Sequence, residues 1–148
     1  MQLKASVLPS VEDSIRNLAW FRYSIRKFIR FSEKAARQSG VTPQQHQLML
    51  GVAGFTGRGQ ATVSELAEFL QARHNSVVGL IERAAHCGLV HKEQDASDRR
   101  FVVVSLTPRG AEILRKLTIL HQQEVQRVSE RPSPPGVPQK SFMVKALA

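Results

Sequence analysis

The chain is poor in the residues that would support most catalytic or extracellular designs. It has one cysteine, Cys87, so no internal disulfide can form and no cysteine-based zinc site is available. No apolar run approaches the roughly eighteen residues of a membrane span, and the opening "MQLKASVLPSVEDS" lacks the uninterrupted apolar core of a secretory signal. The expectation is a cytoplasmic protein with no membrane partner. Acidic residues are scarce: 12 Asp and Glu against 21 Lys and Arg leave a formal charge of +9. That surplus favours a polyanionic partner without choosing among nucleic acid, acidic protein and anionic lipid. No nucleophile-base pair or phosphate-cradling glycine loop is found, and "TGRGQ" is too short and wrongly placed for one. The reading is therefore of a non-enzyme without cofactor.

At 148 residues, one folding unit with tails is the natural division. The expected boundaries are an N-terminal arm over 1–9, a single domain over 10–130 and a tail over 131–148. The tail packs Pro132, Pro134, Pro135 and Pro138 into a short stretch that no helix can cross, and is read as extended or disordered.

Proline and glycine are also missing between Ser10 and Ser39. There Ile15, Leu18, Ile25 and Ile29 fall on one helical face, with Phe21, Phe28 and Phe31 beside it, so a helix of roughly 45 Å burying more than one side is expected. Gly40 ends it. Thr42, Pro43 and Gln45 form the capping box of a second helix, and Thr62 with Glu65 that of a third, whose Leu66, Ala67 and Leu70 face inward. "HNSVVGLIERAAHCG" sets Val77, Leu80, Ile81 and Ala84 on one face and stops at Gly88. These two short helices form a helix-turn-helix candidate. "LVHKE" and "RFVVVSL" then flank a polar tip as hairpin arms, and "TPRG" opens a last long helix. The predicted fold is mainly α with a small β-hairpin wing: a winged helix-turn-helix core over 42–106 flanked by long helices over 10–39 and 107–130.

In such a fold the second short helix enters the major groove and the hairpin reaches the neighbouring backbone or minor groove. Arg73, His74, Asn75, Ser76, Val78 and Gly79 lie at the exposed start of that helix. Asn75 suits adenine, and Ser76 or Arg73 a phosphate or base edge. The plainer alternative is a solvated helix start capped by His74 or Asn75. Gly79 is costly inside a helix, by about 1 kcal/mol against alanine, and either close DNA approach or simple tolerance accounts for it. At the hairpin tip, Arg99 and Arg100 offer guanidinium groups for phosphate, with Asp95 or Asp98 able to hold one and orient the other. The alternative there is a solvated charge cluster.

"TVSELAEFL", "HNSVVGLIERAAHCGLV" and "DASDRRFVVVSLTPRG" together resemble the winged-helix core of MarR-family transcriptional regulators, over about residues 42–128. The resemblance implies a homodimer on double-stranded DNA with a pseudo-palindromic operator, commonly a repressor released by a small aromatic molecule or an oxidant. Two departures stand out. Ser97 replaces the arginine common two places after the first wing aspartate, which passes the minor-groove role to Arg99. The prolines of the tail interrupt the family's usual final helix, which either leaves dimerisation to the first and last long helices alone or makes the dimer weaker than usual.

Other residues have competing readings. Trp20, Tyr23, His46 and Met49 either line an effector pocket or are core. Cys87 is read as a small buried hydrophobe before a redox sensor. The five histidines show no metal-ligand spacing beyond His86 and His91, so no metal site is expected. Arg22, Arg26, Lys27, Arg30, Lys34 and Arg37 form a solvated basic face. The competing function is a winged-helix module that binds an acidic protein.

Overall fold

The structure is a computed structural model that describes residues 8–129. The expected Pro-rich tail and nearly all of the N-terminal arm lie outside the described residues. The elements are α1 (Val11–Gln38), α2 (Pro43–Leu50), a π-helical turn (Gly51–Phe55), β1 (Gln60–Thr62), α3 (Val63–Leu70), α4 (His74–His86), β2 (Val90–Gln94), β3 (Val102–Leu106) and α5 (Pro108–Ser129). Among the described residues no helix is long and apolar enough to cross a membrane.

Two compact units are distinguished within the span expected as one domain. The first comprises the described residues up to Phe31 and from Gln123 onward; the second runs from Ser32 to Gln122. In the first, Val11, Ile15 and Leu18 are 71%, 63% and 61% exposed, and Ile29 is also exposed. The expectation that Ile15, Leu18 and Ile29 are buried is thus corrected for a single copy. The spacing gives the face but not what covers it.

The second unit holds the winged helix. Both predicted capping boxes are present: Thr42 Oγ1 accepts from Gln45 N at 3.1 Å, and Thr62 Oγ1 from Glu65 N at 3.2 Å, with each glutamine or glutamate side chain accepting from the cap's own N–H. Leu48, Met49 and Val52 from α2 and the π turn, Leu66 from α3, Val77, Ile81 and Ala84 from α4, and Leu114 and Leu117 from α5 are buried. These are the inward positions of amphipathic helices, and their burial is the main force holding the unit together.

The wing is larger than a hairpin. The strand order is β1-β3-β2, all antiparallel, with Ala61 opposite Val104 and Lys92 opposite Val104 on the other side. Gln60, the last residue of the "TGRGQ" stretch, begins a strand. Three residues are too few to show alternation; pairing with β3, not local preference, makes β1 a strand.

Thr107 and Gly110 join the wing to α5. Thr107 Oγ1 donates to Gly88 O at 2.6 Å and accepts from Gly110 N at 2.9 Å, while Thr107 N donates to Leu89 O at 3.1 Å. One threonine caps α5 and ties it to the end of α4. Gly110 packs so closely that a Cβ there would collide with the Leu89 carbonyl.

Candidate nucleic-acid interface

The turn between α3 and α4 is set by Gln71, which takes φ 49°, the only positive φ among the described non-glycine residues. Ala72 N bonds Ala67 O at 3.0 Å and Gln71 N bonds Glu68 O at 3.2 Å, so the turn closes as a Schellman motif in which glutamine occupies the left-handed position. Its side chain also donates to Glu68 O at 2.7 Å. α4 begins two residues later, with Arg73 as N-cap and no side-chain bond to the free N–H groups. The alternative that His74 or Asn75 caps the helix is therefore corrected: both lie past the cap.

Arg73, His74, Asn75, Ser76 and Val78 are exposed, while Val77, Leu80, Ile81 and Ala84 of the same helix are buried. The 3.6-residue repeat leaves one polar face outward, running from Asn75 through Gly79 to Glu82. Beside its start a shallow open cleft of about 380 Å³ is lined by Ser64, Glu68, Gln71, Arg73 and His74, among others. Gly79 has no packing reason: a Cβ there meets nothing of the core, only Arg83 Nη1 at 3.3 Å.

Lys92 of β2 is ion-paired with Glu82. The strand that leads to the wing tip thus borders the outward face of α4. At the tip, Asp95 N bonds Phe101 O at 2.9 Å, closing the loop. Asp95 Oδ1 accepts from Ser97 N at 2.7 Å, Ser97 Oγ at 2.6 Å and Asp98 N at 3.3 Å. These bonds, the Ser97 hydroxyl foremost, lower the Asp95 pKa. Asp98 grips Arg100 through Nε–Oδ1 at 3.0 Å and Nη2–Oδ2 at 2.7 Å, and the guanidinium lowers the carboxyl pKa in turn. The two acids divide the work: Asp98 holds an arginine, whereas Asp95 shapes the turn and pairs with none. Arg99 has no hydrogen-bond or ionic partner among the described residues.

Ser97, noted above as a departure from the family pattern, has a local task. Its hydroxyl and amide bind Asp95, a role that serine fills in Asx-type turns.

The four residues considered for an effector pocket are divided between the units. In the first, Trp20 and Tyr23 are 41% and 47% exposed and meet edge to face, centroids 5.7 Å apart. In the second, His46 and Met49 are buried. His46 Nδ1 has no hydrogen-bond partner among the described residues, and its ring lies 4.9 Å from that of His121. Burial, with His121 adding to it, lowers the His46 pKa to about 4. His121 bonds Leu117 O through Nδ1 at 2.6 Å and Ser32 Oγ through Nε2 at 2.8 Å. This histidine pair was not anticipated, because 75 residues separate its members in sequence.

Cys87 is exposed, correcting the expectation of a buried residue. It is the C-cap of α4, one place outside the helical repeat that buries Ala84. Its Sγ lies 3.7 Å from Gln45 Nε2, and Arg109 donates to its carbonyl. The helix end reads as predicted otherwise: Gly88 takes φ 72°, and Leu89 N reaches back to Ala84 O at 3.0 Å.

Two short helices about a tight turn, followed by antiparallel strands that close on a charged tip, define a winged helix-turn-helix. Residues 39–100 match the model of the MarR family, so over that span the winged helix of this chain is similar to those of MarR-family proteins. An uncharacterized HTH-type transcriptional regulator of Bacillus subtilis (strain 168), YfiV, is 34% identical over 92 residues, 62% of this chain. The chain spans only 55% of that relative's length. Among solved structures, Bordetella bronchiseptica BpsR superposes with a TM-score of 0.65 at 20% identity, covering 87% of this chain and 93% of BpsR. An S. aureus MepR mutant bound to an oligodeoxyribonucleotide superposes at 0.61 with 22% identity, covering 87% and 94%. At such identities the superpositions establish the fold.

Proposed function

We propose that this chain is a sequence-specific regulator of transcription that binds double-stranded DNA as a homodimer in the cytoplasm, repressing by occupying its operator, and is not an enzyme. The observation that carries this reading is the Lys92–Glu82 pair, which ties the strand leading to the wing tip to the outward face of α4. In this reading α4 lies in the major groove, where Asn75 reads an adenine and Arg73 and Ser76 hold phosphate or a base edge. His74, Val78 and Gly79 line the same approach. Arg99 enters the minor groove, while Arg100 is steered by Asp98.

The fold shared with MepR, which has been seen on an oligodeoxyribonucleotide, supports the choice of DNA. Dimerisation is supported by the apolar side chains that α1 leaves exposed in one copy, Val11, Ile15 and Leu18. Release by a small aromatic molecule is proposed on the likeness to BpsR, whose DNA binding is regulated by 6-hydroxynicotinic acid.

The test is a gel-shift series in increasing salt. Arg99→Ala combined with Arg100→Ala should weaken binding to all duplexes, and Asn75→Ala should change preference among them. A wild-type protein that retards no mixed duplex even at low salt overturns the proposal and leaves the acidic-protein partner as the surviving use of the basic surface.

A further inference from the structure

Arg83 stands four residues after Gly79, one turn farther along the outward face of α4. A cation in the last turn of a helix ordinarily turns to the terminal carbonyls. This one does the opposite: its Nη1 lies 3.3 Å from where a Gly79 Cβ would be, so the guanidinium is folded toward the helix start. No acid claims it. The adjacent Glu82 is engaged by Lys92, and Arg83's side chain has no hydrogen-bond or ionic partner among the described residues. Apart from the helix's own backbone and the adjoining residues, this nitrogen is the one heavy atom among the described residues within 4 Å of the missing methyl of Gly79, so the glycine serves the arginine and not the core.

Arginine's planar fork makes two parallel hydrogen bonds to the O6 and N7 of guanine, and it is the commonest base-specific contact in the major groove. With Gly79 flat beneath it, the fork lies against the helix backbone, which brings the whole of α4 closer to the base edges than an upright arginine would allow. Asn75 lies one turn before Gly79, about 6 Å along the axis. Its adenine and the arginine's guanine would then fall within about two base-pair steps of each other.

Resting on the DNA-binding proposal above, we infer that Arg83, laid over Gly79, is a specificity-determining residue that reads a guanine in each half-site. The experiment is enrichment of bound fragments from a random duplex library by the wild-type protein and by Arg83→Ala, Arg83→Lys and Gly79→Ala. The wild type should enrich guanine at a position where Arg83→Ala enriches no base, with affinity for the wild-type sequence down about tenfold or more. Arg83→Lys keeps the charge without the fork and should not restore the preference. Gly79→Ala should melt at or above the wild-type temperature, since alanine is the better helix former, and yet weaken selection at the same position. A uniform loss of affinity with every base preference intact overturns the inference in favour of a phosphate contact, as does Gly79→Ala that melts lower and selects normally. If the wild type binds no duplex, the parent proposal falls and this one with it; if it selects a motif that Arg83→Ala also selects, only this one falls.

Discussion

Asp98 and Arg100 are joined by two parallel hydrogen bonds, Nη2–Oδ2 at 2.7 Å and Nε–Oδ1 at 3.0 Å, while Arg99 beside them is unclaimed among the described residues. Two neighbouring arginines therefore differ in what they can give to a polyanion. Arg100 brings a charge already balanced by a carboxylate, and Arg99 brings a whole one. Counterion release scales with the phosphates neutralised, about 0.9 per contact in the salt exponent. Arg99→Ala should lower the slope of log affinity against log salt by about one. Arg100→Ala should change it far less, though it loosens the tip. Equal slope changes from the two variants, measured by fluorescence anisotropy, would refute the division.

Gly110 has no positive φ; its glycine is required by approach alone. A methyl group there meets the Leu89 carbonyl, which is fixed by its bond from Thr107 N, so neither backbone can move without losing the junction of α4, wing and α5. Gly110→Ala should destabilise by roughly 2–3 kcal/mol, in the range of core overpacking. The measurement is the urea midpoint, and an unchanged midpoint contradicts the packing described.

The parts of this molecule that sequence made legible are those where a residue acts on its near neighbours. Thr42 with Gln45, Thr62 with Glu65, and Gly88 after α4 are contacts across three residues or fewer, so spacing alone specifies them. The "TPRG" helix start was recognisable, but what fixes it to the rest of the unit was not, because Thr107 binds Gly88 from 19 positions away. β1 was hidden for the same reason: its partners lie some 40 residues on. Cys87 misled because a helix end breaks the periodicity by which burial is inferred. Of the interface, the outward residues of α4 follow from the inward ones; which acid holds which arginine required coordinates, since Asp95 and Asp98 are equally placed on paper.

Gln71 pays a conformational penalty at φ 49° that glycine would not. Its side-chain bonds to Glu68 offset part of this, but they are exposed and weak. Gln71→Gly should raise stability by about 0.5 kcal/mol, read as a small upward shift in the thermal midpoint. A lower midpoint would mean that the Glu68 contacts outweigh the backbone term.

His46 supplies the pH prediction. It is 2% exposed, and burial with the His121 ring nearby holds its pKa at about 4, against 6.5 when unfolded. The folded state therefore refuses a proton that the unfolded chain accepts. Its share of stability is fully present above pH 6.5 and declines as the pH falls toward 4, because acid draws the chain into the unfolded state that binds the proton. At about 1.4 kcal/mol per unit of depression, the full span amounts to roughly 3 kcal/mol. The wing carboxylates Asp95 and Asp98, whose pKa values are lowered, contribute in the opposite sense of group but the same direction of pH, and only below the ordinary carboxylate range. Glu65, whose pKa is lowered by its bonds to the Thr62 backbone and to Arg58, acts in the same direction from its ordinary value of 4.5 downward, so the window from pH 6.5 to 4.5 is chiefly the histidine's. Urea unfolding across it should show the wild type losing stability more steeply than His46→Leu, by about 2–3 kcal/mol. Parallel pH profiles for the two proteins would show that the buried ring is not the group responsible.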